Sequence, residues 1–283
     1  MTKPVIEADR VWVKSKLENA FEGFVNRWRD ASSLNPSDSP PVSLQIGDQA
    51  LGWLHGEAKL RVITGLQHLG YACKGDESIQ IPLNQAHDIL TELGIWLHRQ
   101  HWVPAWRDEL QTVHNLEGAR LFDLERGLFK LLGLRSQAVH IHIETPEGLV
   151  WIGKRSLQKK ENPGMLDNLS AGGIGASESA WDCVWRELDE EAGLQAEQVE
   201  LNMVHPPLLV SRPVGMGWHH ETIYLFNGIV HRNWTPQNRD GEVQGFELMT
   251  RSACRDAVNQ WRFTPDAGLV TALMMSQHLA SQA

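Results

Sequence analysis

Glu187, Glu190 and Glu191 stand at i, i+3 and i+4, and a glycine, Gly193, follows two residues later. On a helix turning about 100° per residue, these three carboxylates share one face, with Cβ atoms roughly 5–6 Å apart. Like charges at that spacing repel. Acids at the C-terminal end of a helix also meet the negative end of its dipole, at about 0.3–1 kcal/mol each. A solvated acidic face is the ordinary reading of an acidic helix. Here the charges sit at the wrong helix end, and a Gly172-Gly173 pair precedes the helix. A bound divalent cation removes the penalty. Carboxylates that leave part of the shell to water and phosphate are what Mg²⁺ takes, so the chemistry to expect is at a phosphate group.

The element that must position these acids is an amphipathic helix. Ala180, Trp181, Val184, Trp185, Leu188 and Ala192 recur at spacings of one, three and four, which makes one apolar face. The spacing predicts a helix from an N-cap at Ser177 to a stop at Gly193. Its apolar stripe centres on Trp181, Trp185, Leu188 and Ala192, and the three glutamates lie on the far side. Asp182 and Asp189 point elsewhere.

From Gly172 the chain reads glycine, five residues, Glu178, seven residues, then Arg186-Glu187-Leu188-Asp189-Glu190-Glu191-Ala192-Gly193-Leu194. This resembles the Nudix box, matching all nine of its defined positions over 23 residues. Beyond the box, "GKRSLQKKENPGMLDNLSAGG", "WTPQNRDGEVQGFELM" and "WRDELQTV" are similar to one Nudix branch. That branch is related to the Nudix region fused to some fungal thiamine pyrophosphokinases, and its members carry an N-terminal domain of unassigned function. Asp266 stands where the branch tends to have asparagine.

The resemblance implies an α/β (α+β) fold: a Nudix α/β/α sandwich with a mixed sheet, preceded by a smaller α+β domain. It implies Mg²⁺- or Mn²⁺-dependent hydrolysis of a diphosphate bond in a small nucleotide-like substrate. Thiamine diphosphate and its oxidised analogues come first, and oxidised purine nucleoside di- or triphosphates are the alternative. By motif position, Glu190 and Glu191 are implied as metal ligands and Glu187 as a further ligand or general base. A backbone carbonyl at Ala171 or Gly172 completes the shell. Arg186 and Glu178 orient the box. Many Nudix enzymes take one more acid from outside the box, and Glu242 and Glu221 are the candidates, each weighed against an ordinary strand-end acid.

Lys154, Arg155, Lys159 and Lys160 form a basic patch just upstream of the box. It suits phosphate capture, for which arginine's fork is best, or it is a solvated loop. Of 12 tryptophans, most fill cores; Trp218 and Trp234 flank the expected substrate strand and are candidates to stack on a flat heterocycle. Two other readings share the scaffold. A diphosphate isomerase needs a cysteine and an acid at a double bond, and Cys183 lies near the apolar face of the box helix. A non-catalytic sensor commonly loses box glutamates, and all are kept here.

The chain has 283 residues, 42% of them hydrophobic, and a formal net charge of −9 with no lysine/arginine block. A polyanionic nucleic acid is not an expected partner, whereas a small-molecule diphosphate is. The apolar runs are too short to span a membrane, and the N-terminus lacks a secretion signal. Cys73, Cys183 and Cys254 fit neither a disulfide framework nor a zinc site, which points to a reducing, cytoplasmic location.

Two domains are expected, at residues 1–133 and 134–283. Helical patterns run over 11–28, 83–98 and 116–132, the last as a bridge, with short strands over 44–63. After residue 134 the period changes to two: strands at 138–144 and 149–154 flank a turn at 145–148. More strands follow at 199–204, 208–211, 221–230 and 242–249, and helices start at Arg251 and Pro265. His140 and His142 share a strand face and are read as structural; His219 and His220 face opposite ways. Residues 1–133 hold six of the 12 tryptophans but no nucleophile motif or phosphate loop. They are expected to wall the substrate pocket, with stabilisation or homodimer formation as the alternative.

Overall fold

The computed structural model of the chain describes residues 20–31, 33, 40–71, 78–103, 106–215, 217–231 and 233–281. Among the described residues the first helix, α1 (Glu22–Ala31), carries Phe24 and Trp28 one turn apart, with Phe21 just before it. Alternating Val42, Leu44 and Ile46 then build β1 (Val42–Ile46), antiparallel to β2 (Gln49–Leu54) and parallel to β3 (Ser78–Ile81). Two helices, α2 (Gly56–His68) and α3 (Ala86–Arg99), bury Val62, Leu66, Ile89, Leu93 and Leu97 in the same core. A hairpin of β4 (Leu110–His114) and β5 (Arg120–Glu125) follows, then a 3-10 turn at Arg126–Leu128 and the short helix α4 (Phe129–Leu132).

The main sheet comes next. Its strands are β6 (Arg135–Glu144), β7 (Val150–Arg155), β8 (Leu166–Asp167), β9 (Ser170–Gly173), β10 (Val199–Val214), β11 (Gly217–Val230) and β12 (Val243–Met249). The order is β10-β11-β6-β7-β12, with β9 on β6 and β8 on β7. Only β11 and β6 run parallel among these pairs, so the sheet is mixed as expected. In β6 side chains alternate between two buried faces. Val139, Ile141 and Ile143 pack with Cys183, Val184 and Leu188 of the box helix. On the other face, Ile152, Ile223 and Leu225 pack with α6 (Arg251–Asn259) and α7 (Pro265–Ser281). His140 bonds Asn168 at 2.8 Å and Asn168 bonds Thr271 at 3.1 Å, while His142 pairs with Glu144 at 3.1 Å. Both histidines are therefore structural.

Two expectations need correction. Residues 116–132 are not one helix. Asn115 accepts from the Glu117 and Ala119 amides, and Gly118 takes φ +93°, which closes the β4–β5 turn. The apolar spacing of 116–132 therefore comes from a strand followed by a short helix. Within 44–63, the strands end at Leu54 and α2 begins at Gly56. α1 packs apart from the core of β1–β3, α2 and α3. Phe21 and Phe24 sit in the core of α6 and α7, and Asn259 donates to the Ala20 carbonyl at 3.1 Å. Residues 11–19 of the first helical pattern, with Trp12, and Cys73 lie outside the described residues. Among the described residues no helix is long and apolar enough to cross a membrane.

Because α1 plugs a remote core, Phe24→Ala should destabilise the full chain by about 3–5 kcal/mol, the usual range for emptying a buried phenylalanine site. Phe24 is 2% exposed and lies 5.2 Å from the Trp261 ring. Urea denaturation checks this; an unchanged midpoint would detach α1 from that core.

Candidate active site

The box helix is α5 (Ala180–Glu187), continued by a π turn at Leu188–Ala192. It starts two residues later than expected. Ser179, not Ser177, is the N-cap: its Oγ accepts from the Asp182 amide at 3.1 Å, and the Asp182 carboxylate accepts from the Ser179 amide at 3.2 Å. This reciprocal pair is a capping box. Gly193 ends the helix at φ +64° as expected. A π turn holds an extra residue per ring, so the acids do not keep α-helical spacing. The buried face is Cys183, Val184, Glu187, Leu188, Glu191 and Ala192. Trp181 and Glu190 are exposed. The expected far-side face of three glutamates is therefore split, two inward and one outward.

Arg186 is the centre of one half. Its Nε and Nη2 reach the two Glu178 oxygens at 2.8 and 3.1 Å, its Nη1 reaches Glu187 at 2.6 Å and Glu190 at 3.3 Å, and Nη2 reaches the Gly173 carbonyl at 3.2 Å. Glu178 also accepts from the Gly175 amide at 2.8 Å. Burial pushes the Glu178 carboxyl up, but these hydrogen bonds outweigh it and hold it below the usual range. Glu187 goes the other way: burial raises it despite Arg186. Gly172 faces the Glu187 side chain, and a Cβ there would overlap the carboxylate. Its carbonyl takes a long 3.8 Å contact from the Cys183 thiol. The glycine thus supplies space for Glu187.

Glu191 belongs to the other half. Its Oε2 accepts from the Ala171 amide at 3.0 Å. Burial, then the Glu187 charge, pushes its carboxyl up to about 8. Ligand oxygens of Glu191, Asp240 and Glu242 lie within 4.8 Å of one another. Burial raises Asp240 as well. The segment that brings Asp240 and Glu242 here docks on the end of the box helix. Gln237 and Arg239 amides donate to Ala192 and Glu190 carbonyls at 2.8 and 3.0 Å, and Arg239 pairs with Asp189. Lys159 pairs with Glu242, and burial, then Arg155, lowers its pKa. Arg155 holds Asp167 at 2.9 Å. Three hard oxygen donors, one of them deeply buried, fit a divalent cation of the Mg²⁺ type, which relieves the cost of burying that charge. Asp240 was not among the sequence candidates. The signal was its place in Asp240-Gly241-Glu242, where it reads as a turn residue.

A family model for the NUDIX domain matches residues 134–267. The chain carries a Nudix domain. It is 27% identical over 180 residues to "Nudix hydrolase 24, chloroplastic" of Arabidopsis thaliana, covering 58% of this chain and 46% of that protein. It is also 27% identical over 176 residues to "Nudix hydrolase 20, chloroplastic" of the same plant, covering 57% and 44%. The chain thus spans about half the length of these curated relatives. A solved structure, DR0079 from Deinococcus radiodurans, superposes with a TM-score of 0.46 at 18% identity over 57% of this chain and 97% of that one.

The remaining candidates of the Nudix domain lie elsewhere. Lys154 is at register with Leu166 and Gly245 on β7, with no hydrogen bond or ion pair to the carboxylates among the described residues. Glu221 accepts from Ser136 at 2.8 Å and groups with His219 and Asp266, on the α7 face of the sheet rather than in the box. Trp218 is 2% exposed and donates to Ser211 at 2.8 Å, so it is a core residue with no face left for a heterocycle. Trp234 meets Trp151 edge-on at 6.0 Å in the box-side core. Asp266 is clamped by Arg212 through both oxygens at 3.1 Å and lies 3.1 Å from His219. Although burial opposes it, Arg212 and then His219 hold that carboxyl far below the usual range. An asparagine there would lose the charge that Arg212 needs.

Proposed function

We propose that the chain is a divalent-metal-dependent hydrolase of a diphosphate bond in a small nucleotide-like substrate, with thiamine diphosphate and its oxidised analogues as the first substrates to test. The observation that carries this reading is the convergence of Glu191, Asp240 and Glu242 beside the Arg186-held Glu187 and Glu190. The matched domain and the two plant Nudix hydrolases support it. The choice of thiamine diphosphate rests on the sequence resemblance alone.

Glu191, Asp240 and Glu242 would hold Mg²⁺ or Mn²⁺, with Glu190 at the exposed rim. When bound, the cation supplies charge neutralisation at the phosphate oxygens. Lys159 sits against Glu242 with Arg155 beside it, and both meet a substrate phosphate by charge-assisted hydrogen bonds. Glu187 is the acid best suited to take a proton from water: burial raises its basicity and Arg186 fixes its position. Glu178 and Arg186 position the box without touching substrate.

The test is phosphate release from thiamine diphosphate, its oxidised analogues, ADP-ribose and oxidised purine nucleotides, with Mg²⁺ or Mn²⁺ and after exhaustive chelation. Activity should vanish on chelation and return with the metal, while melting stays cooperative because the cores bury their own apolar surface. Full turnover in chelator would overturn the metal dependence. Turnover of purine nucleotides alone would move the substrate to that class.

A further inference from the structure

We propose that Arg126 and Arg107, both ahead of the Nudix domain, bind the diphosphate of the substrate over the box carboxylates. This rests on the hydrolase reading above and assigns a site function to the N-terminal residues.

The β4–β5 hairpin is joined directly to the box loop. The Ala176 amide donates to the Leu110 carbonyl at 2.9 Å. Beside that bond, the side chains of Arg126 and Gln111 lie across Gly173. A Cβ at Gly173 would stand 2.8 Å from Arg126 Nη2 and 2.8 Å from Gln111 Nε2. The Gly173 carbonyl also takes Arg186, which holds Glu187 and Glu190. Arg126 is thus one backbone unit from the residue that organises the acids, and its charge acts on Glu187.

One buried carboxylate ties the backbone of Arg107 to that of Gly127, the residue after Arg126. Glu125 is 6% exposed and accepts from the Arg107 amide and the Gly127 amide, each at 3.0 Å. The Arg126 amide in turn donates to the Glu109 carbonyl at 2.8 Å. The segments on either side of Arg107 and Arg126 are therefore clamped together, in a part of the chain whose core is separate from that of the box helix.

Their side chains have capacity to spare. Arg126 Nη1 is paired with half-exposed Glu109 at 2.9 Å, and its Nη2 has no acceptor among the described residues. Arg107 is exposed with no side-chain partner among the described residues. Its charge acts on Lys159, which also feels Glu191 and Asp240. The Arg107 amide and the Gly127 amide, next to Arg126, meet on one Glu125 oxygen, so the two cations belong to one rim of the hairpin that borders the box loop. In a chain of net charge −9, arginines gathered at the rim of a carboxylate site match a bridging dianion. The guanidinium fork suits the geometry of phosphate oxygens.

The experiment uses the full chain. Arg126→Gln, Arg126→Lys and Arg107→Gln are compared with wild type and with Arg99→Gln, an exposed arginine on α3. Binding of inorganic diphosphate in the presence of Mn²⁺ is measured by calorimetry, with KM and kcat on the best substrate and the melting temperature alongside. Arg126→Gln and Arg107→Gln should each weaken diphosphate binding about tenfold or more, the scale of one charged hydrogen bond. KM should rise more than kcat falls, with unchanged Mn²⁺ affinity. Arg126→Lys should recover part of the loss, and Arg99→Gln should match wild type. Diphosphate affinity within twofold of wild type in folded Arg126→Gln and Arg107→Gln protein would overturn the inference. A wild type that hydrolyses none of the panel would count against the hydrolase reading instead, and the calorimetry would still decide the role of the two arginines.

Discussion

Glu191→Gln is expected to lower turnover by about 100-fold or more, the scale of losing several kcal/mol of charge stabilisation at the reacting phosphate. It is the most buried of the box acids and the one that meets Asp240 and Glu242. Asp189→Asn should change turnover little. Asp189 faces Arg239 and Gln195 at the other side of the turn, half-exposed, where an ion pair contributes at most about 1 kcal/mol. Equal losses in the two variants would break the distinction. The same substitution has a second expected signature in chelator. Glu191 holds its proton up to about 8 in the folded chain, whereas the unfolded chain releases it in the ordinary carboxylate range. The native state therefore binds more protons across that window, and this group's contribution to stability falls as pH rises through it. Glutamine has no such proton. Metal-free Glu191→Gln should gain stability relative to wild type between pH 6 and pH 9, read by urea denaturation at both.

Gly172→Ala should be equally damaging for a steric reason. The new methyl would occupy the space of the Glu187 carboxylate. The strand cannot move away, because Gly172 is registered against Val139 on β6. Glu187 would have to swing off Arg186, leaving buried charge unpaired, which costs about 3–5 kcal/mol when a buried pair is broken. Turnover should drop at least about 100-fold, the scale for misplacing a catalytic group. The Gly245→Ala variant on β12 adds a methyl with nothing within 4 Å and should behave as wild type. An active Gly172→Ala protein would show that Glu187 does not need its present position.

Much of the architecture was legible because it follows from local periodicity. The strand pair 138–144 and 149–154, its turn, and the helices from Arg251 and Pro265 match β6, β7, α6 and α7. Residues 116–132 misled because a strand and a short helix, joined end to end, mimic the spacing of one amphipathic helix. The tryptophan stripe misled for a related reason. Trp181 and Trp185 stack on each other at 6.4 Å near the surface, while small Cys183 and Val184 take the buried side against β6 and β9.

The sequence by itself determined the box: the identity and order of Glu178, Arg186, Glu187, Glu190, Glu191 and Gly193, and the glycine pair that leaves them room. Those residues interact over short separations, so their spacing carries the information. Only the tertiary structure decided which acids meet. Glu191 joins Asp240 and Glu242, some 50 residues on, because the segment before β12 docks on the carbonyls of Glu190 and Ala192. It also decided that Phe21 and Phe24 belong to the C-terminal core and that Arg126 lies over Gly173. Such contacts depend on how separate sheets and helices pack, and no periodicity along the chain encodes a neighbour 50 or 200 residues away.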